Sequence, residues 1–213
     1  MFDSFLKIYR ALLRWILPGK KTMKENELGI EQKSDTGQSN IWFVDEKRYI
    51  SIAGKDMKIE NPGFPVEYLI IHHSATKDTK EEDSIGIKKY HKEEKRWTDI
   101  GYHWMCEFVD QRYEIIKGRP MTQTGAHCRA GRMNKKSLGF CMVGNFENNK
   151  PPDEQLFLTK SVVRDFQRMF SVPRENVLGH REAERMAKVA NNNLTDCPGK
   201  NLDMNLFRKD LLT

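Results

Sequence analysis

The sequence predicts an α/β domain, a mixed central β-sheet flanked by helices, preceded by an N-terminal amphipathic helix and a linker. Three observations carry the prediction. Short apolar runs of strand length recur beyond residue 60, as in "EYLIIHH", "HWMCEFV" and "LGFCMVGNF". Segments of helical period separate and follow them, "SIGIKKYHKEEKRW" and "PPDEQLFLTKSVVRDFQRMF". A chain of 213 residues is long enough for one domain with a real core plus an appendage.

Residues 2–17, "FDSFLKIYRALLRWIL", predict the first helix. Asp3, Ser4, Lys7, Arg10, Ala11 and Arg14 share one narrow face, and Phe2, Phe5, Leu6, Tyr9, Leu12, Leu13, Ile16 and Leu17 fill the rest. Pro18-Gly19 stops it. Arg10 and Arg14 interrupt the apolar centre that an ordinary export signal needs. An interfacial helix, touching a membrane surface or a partner, is the expectation for residues 1–18. The polar segment from Gly19 to Asn40 reads as linker, and "IWFVDEKRYISI" as a short lead-in hairpin, so 19–60 forms the approach to a domain at 61–213.

Within that domain residues 67–73 form the first strand. A helix over 84–97 follows, with Ser84 placed as its N-cap. "GYHWMCEFVD" and "RYEIIKG" make an antiparallel pair about Asp110-Gln111, and "SLGFCMVGNF" a further central strand. The long helix enters through Pro152 and Asp153 and turns Leu156, Val163, Phe166 and Phe170 inward. Asp203 caps the last helix, "DMNLFRKDLL".

Composition excludes some functions. No apolar run approaches the ~20 residues needed to span a bilayer. The net charge of +6 favours acidic partners, but the cations are dispersed and no nucleic-acid recognition motif is present, so nucleic acid is not an expected partner. The four cysteines lack a CxxC pair. Cys106 and Cys141 sit in strand-like runs as small buried residues, whereas Cys197 lies in the turn "TDCPG". His72 or His73, His180 and Cys197 would make a three-donor metal set with a fourth position for water. Such a metal acidifies its water to a pKa of about 7 and polarises a carbonyl. Spacing alone leaves open whether these residues are ligands or scattered structural histidines.

The words around those residues add a second line of argument. "LIIHHSAT", "WTDIGYHW", "GRPMTQTGAHCRAGRMNKKSLGFCMVGNF", "LGHREA" and "TDCPG" occur in that order. Together, over residues 65–212, they resemble the zinc-dependent N-acetylmuramoyl-L-alanine amidases of type 2, the phage-lysozyme and peptidoglycan-recognition-protein family. The resemblance implies a mixed sheet with helices around it and one Zn2+ at the base of a groove. It implies His72, two positions before Ser-Ala-Thr, as first ligand, His180 in "GHRE" as second and Cys197 in "DCPG" as third. Neighbouring strand residues face opposite ways, so His73 is expected to pack on the other side.

By the same resemblance Tyr102 would orient the catalytic water or stabilise the oxyanion. His91 would contact substrate, His127 would lie over the peptide, and Lys95 and Asn134 would line the groove. Thr195 stands where phage-type members carry a lysine, and its hydroxyl would assist with less electrostatic force. The implied activity is zinc-dependent hydrolysis of the amide between N-acetylmuramic acid and L-alanine in peptidoglycan. The implied setting is the cell wall, in periplasm or outside the cell, with the enzyme a monomer. A peptidoglycan-binding module with a silent metal site is the main rival, and Cys197 and Tyr102 weigh against it.

Overall fold

The computed structural model describes residues 61–78, 83–109, 111–190 and 193–212. The expected helix at 2–17 and the lead-in at 19–60 lie outside the described residues. Five strands form one sheet. They are β1 (Tyr68–His73), β2 (Trp104–Val109), β3 (Arg112–Lys117), β4 (Ser137–Met142) and β5 (Val177–Gly179), in the spatial order β3-β2-β4-β1-β5. β1 runs parallel to β4 and β5, β2 parallel to β4, and β3 antiparallel to β2. A strand paired on both edges and covered on both faces reads as a continuous apolar run. In β1 only Tyr68 is less than fully buried.

Alternation along β1 separates two interiors. Leu69 and Ile71 belong to the main core with Trp104, Cys106, Leu138, Phe140 and Met142. Ile70 points the other way, into a smaller cluster with Cys128, Met133 and Ala183. The main core is roofed by α2 (Asp153–Phe170), which follows α1 (Asp83–Glu93). Leu158, Val162, Val163 and Phe166 of α2 are buried against the sheet. Burying each such side chain contributes roughly 1.5–3 kcal/mol. The expected inner stripe was rotated slightly from the true one: Val163 and Phe166 lie in the core, but Leu156 and Phe170 lie at its edge. Asp153 and Glu154 in the first turn complement the helix dipole, and Ser171 ends the helix in a left-handed conformation, φ 54°.

Three local findings differ from the sequence reading. α1 ends at Glu93, short of the expected Trp97. Ser84 lies inside α1, and its backbone N–H and hydroxyl donate to Glu107 at 2.6 and 2.9 Å, tying the helix to β2. β5 and the helix that follows directly, α3 (His180–Met186), fall in a stretch to which the sequence reading assigned no element, because a three-residue strand and a seven-residue helix are too short to show a period. The last helix, α4 (Met204–Lys209), starts as expected, with Asp203 Oδ1 accepting from the Asn205 and Leu206 N–H groups at 2.8 and 3.1 Å.

Candidate metal centre

Register brings the first two donors together. Ile71 of β1 pairs with Gly179 of β5, so the next residues, His72 still within β1 and His180 at the start of α3, come to lie side by side. Their rings meet edge-on with centroids 4.7 Å apart. Cys197 arrives from the loop after α3, and its Sγ lies 3.5 Å from His72 Nδ1. One donor atom from each of His72, His180 and Cys197 falls within 4.8 Å of the other two. His73, on the opposite face of β1, accepts from the Phe146 N–H at Nδ1, 3.1 Å. Its own backbone N–H points at Cys197 Sγ, 3.4 Å away.

Each donor imidazole has a polar neighbour at Nε2. His72 Nε2 lies 3.0 Å from His127 Nδ1, and His180 Nε2 lies 3.4 Å from Glu184 Oε1, one turn further along α3. Ligand histidines are oriented by such partners, which fix the tautomer. Burial, reinforced by His180 and His127, drives the His72 pKa well down. Burial also lowers His180, against the opposing charge of Glu184. Burial pushes the Cys197 thiol up to about 12. Two neutral imidazoles and one thiol suit a borderline-soft divalent ion such as zinc, whose binding would ionise the sulfur. The donor set therefore fits the metal that the family implies.

The other expected site residues take varied places. Tyr102 stands beside the donors, its ring 5.2 Å from His72 and 5.6 Å from His91. Burial, with the Cys141 and Cys197 thiols, keeps its phenol protonated. His91 is buried at the end of α1, where Nδ1 accepts from the Gly101 N–H at 3.2 Å and the ring lies on Trp97, 4.7 Å away. Thr195 Oγ1 accepts from the Cys197 N–H at 3.2 Å, and its own N–H donates to Glu184 Oε2 at 2.7 Å. Lys95 is exposed beyond α1, with Nζ 5.4 Å above the Tyr90 ring.

Two further expected residues, His127 and Asn134, make contacts that the sequence did not foretell. His127, expected over the peptide, is only 7% exposed and is turned against His72. Asn134, expected to line a groove, spends its Oδ1 on the backbone N–H groups of His127 and Cys128, at 2.9 and 2.8 Å. Sequence reasoning also missed Glu184 and Arg119. The spacing His180 to Glu184 would have flagged the first, had a helix been assigned there. Buried Arg119 holds the carbonyls of Asp99, Ile100 and Thr124, fastening the loop before Tyr102 to the loop before His127.

Fold and cluster together define a mixed α/β domain with two histidines and one cysteine, a donor set that could hold a metal ion, at the carboxyl ends of two parallel strands. The profile of the Amidase_2 family, N-acetylmuramoyl-L-alanine amidase, matches residues 62–200, and the chain belongs to that family. Peptidoglycan-recognition protein 2 of Holotrichia diomphalia is 37% identical over 97 residues, 43% of this chain and 49% of that protein. Peptidoglycan-recognition protein LB of Drosophila melanogaster is 29% identical over 146 residues, 65% of this chain and 56% of that protein. The chain thus spans about half the length of these two relatives. Among solved structures, wild-type Drosophila PGRP-LB superposes with a TM-score of 0.55 at 26% identity, over 72% of this chain and 86% of that one. The N-acetylmuramoyl-L-alanine amidase LysC of Clostridium intestinale shares the fold, with a TM-score of 0.54 at 21% identity over 68% and 85% of the two chains. Among the described residues no helix is long and apolar enough to cross a membrane.

Proposed function

We propose that the protein hydrolyses the amide between N-acetylmuramic acid and L-alanine in peptidoglycan, with one zinc ion held by His72, His180 and Cys197. The observation that carries the proposal is the convergence of these donors within 4.8 Å, with a polar neighbour at Nε2 of each imidazole. When bound, the ion supplies Lewis acidity toward the scissile carbonyl and toward water. Tyr102, kept protonated beside the donors, donates a hydrogen bond to the oxygen on which negative charge develops. Thr195 uses its oxygen to orient the Cys197 backbone and retains its hydroxyl hydrogen for the reacting group. His91 accepts at Nδ1, so its neutral ring carries the proton on Nε2 as a donor to substrate. Lys95 offers a charge to the stem peptide at the exposed margin.

A peptidoglycan substrate is supported by the family and by a variant of Drosophila PGRP-LB, 26% identical, solved in complex with tracheal cytotoxin. The same reading places the protein's action at the cell wall, as a monomer, with residues 2–17 making any membrane-surface contact. The test is digestion of purified peptidoglycan with and without a chelator. New L-alanine amino termini that vanish on metal removal are expected; reducing sugar ends in their place reject the proposal. The curated relatives carry recognition names, which favours a second reading, binding without cleavage. Cys197→Ala separates the two. Loss of at least about 10⁴-fold in amide cleavage is expected for an enzyme that depends on the ion, whereas a binding module with no cleavage to lose keeps its affinity for muropeptide.

A further inference from the structure

Resting on the zinc reading above, we infer that His127 is a positioning residue of the metal centre. Clamped by Asn134, it holds His72 in the tautomer that presents Nδ1 to the ion. A ring with metal on one nitrogen keeps its proton on the other. His72 Nδ1 faces Cys197 Sγ at 3.5 Å, so His72 Nε2 carries the hydrogen and His127 Nδ1, 3.0 Å away, accepts it. The two rings stand nearly perpendicular, at 81°, which aims the N–H edge of one at the other.

The seat of His127 is built for this ring. A Cβ on Gly139 would lie 2.5 Å from His127 Cγ, and one on Gly125 would collide with His127 Cδ2. Both positions must therefore lack a side chain for the imidazole to lie where it does. His103 closes the back of the seat, its centroid 5.6 Å from that of His127. It is pinned at both nitrogens, accepting from the Gly139 N–H at 3.0 Å and donating to the Gln123 carbonyl at 3.1 Å. The backbone is held as firmly. Asn134 Oδ1 takes two consecutive N–H groups, and the Asn134 N–H returns to the Cys128 carbonyl at 2.9 Å. His127 thus does for His72 what Glu184 does for His180, with a neutral acceptor in place of a carboxylate.

The experiment uses the full chain and compares His127→Leu, His127→Asn and Asn134→Ala with the parent. Zinc affinity is measured by competition with a chromophoric chelator. The visible spectrum of the cobalt(II) form and muropeptide affinity of the zinc-saturated protein are recorded beside it. His127→Leu is expected to weaken zinc binding by about 10- to 100-fold and to shift the cobalt bands. His127→Asn, which keeps an acceptor oxygen near the Nδ1 position, restores most of that loss. Asn134→Ala, which keeps the imidazole but frees the backbone that carries it, weakens binding by about tenfold. Muropeptide affinity at saturating zinc stays at the parent value in all three. Parental zinc affinity and cobalt spectrum in His127→Leu, coupled with lost muropeptide affinity, would overturn the inference and make His127 a peptide contact. A parent chain that takes up no zinc would defeat the function proposed above as well, so the two failures are distinguishable.

Discussion

Under α2 the sheet presents Leu69, Ile71, Leu138, Phe140, Met142 and Trp104, packed against Leu158, Val162 and Phe166. On its other face the same strands present Ile70, His72, Gly139, Cys141 and Met105, the last three covered by loops and side chains of the site. One face is mostly apolar, with Gln155 of α2 bonding the Cys106 and Val143 carbonyls at its edge, and its order comes mainly from filling space. The other is crowded with imidazoles, and its order comes from hydrogen bonds that fix which nitrogen faces which neighbour. The lesson is a division of labour by strand parity. Stability is concentrated on odd-numbered positions of β1 up to Ile71, and chemistry on the even position that follows, His72.

Substitutions can break or sharpen that contrast. The largest effect is expected from Phe166→Ala, which empties the centre of the roofed face where Trp104 and Phe140 pack on the ring at 5.4 and 5.3 Å. A loss of about 3–5 kcal/mol in denaturant unfolding is expected, with zinc affinity unchanged in the folded protein. Altered zinc affinity would show the two faces to be coupled. Next comes acid sensitivity of the histidine face. Burial holds fully enclosed His103 down from 6.5 to about 4, so the folded state binds fewer protons than the unfolded chain between those values. Its contribution is complete above pH 6.5 and is lost as the pH falls toward 4, about 3 kcal/mol in all by linkage. Unfolding curves at stepped pH should lose that part of their acid limb in His103→Gln. The smallest effect is expected from Tyr102→Phe, which removes a donor but no packing volume: about 100-fold in cleavage rate, with melting temperature held. A large drop in stability instead would move Tyr102 from the reactive set to the supporting one.

Much of this contrast was legible in the residues. The runs that became β1, β2 and β4 are apolar over strand length, β3 follows β2 across a tight turn, and α2 carries a helical period, so each declares itself locally. β5 does not, because a three-residue strand exists only through its pairing with β1. The site was less readable than the sheet. His72, His180 and Cys197 are far apart in the chain; residue types grouped His72 or His73 with His180 and Cys197, and the family resemblance chose His72 among them. Sequence blocks also mark nearness to a site without marking depth. His127 and Asn134 belong to a block of the right family, yet one lies behind a donor and the other ties the loop beneath it. Ser84 failed for a related reason: its hydroxyl found a carboxylate on β2 instead of the end of its own helix.

The pairing of β1 on both edges has an implication for how such a chain can change. Tyr68–His73 is locked in step with Ser137–Met142 on one side and with β5 on the other. Losing or gaining a single amino acid inside this ribbon would trade His72 for His73, aiming the wrong imidazole inward and driving a charged or polar neighbour into grease. Insertions and deletions should therefore be tolerated in the connecting loops but eliminated from these six positions, where a one-residue frame decides whether the molecule has a working centre at all.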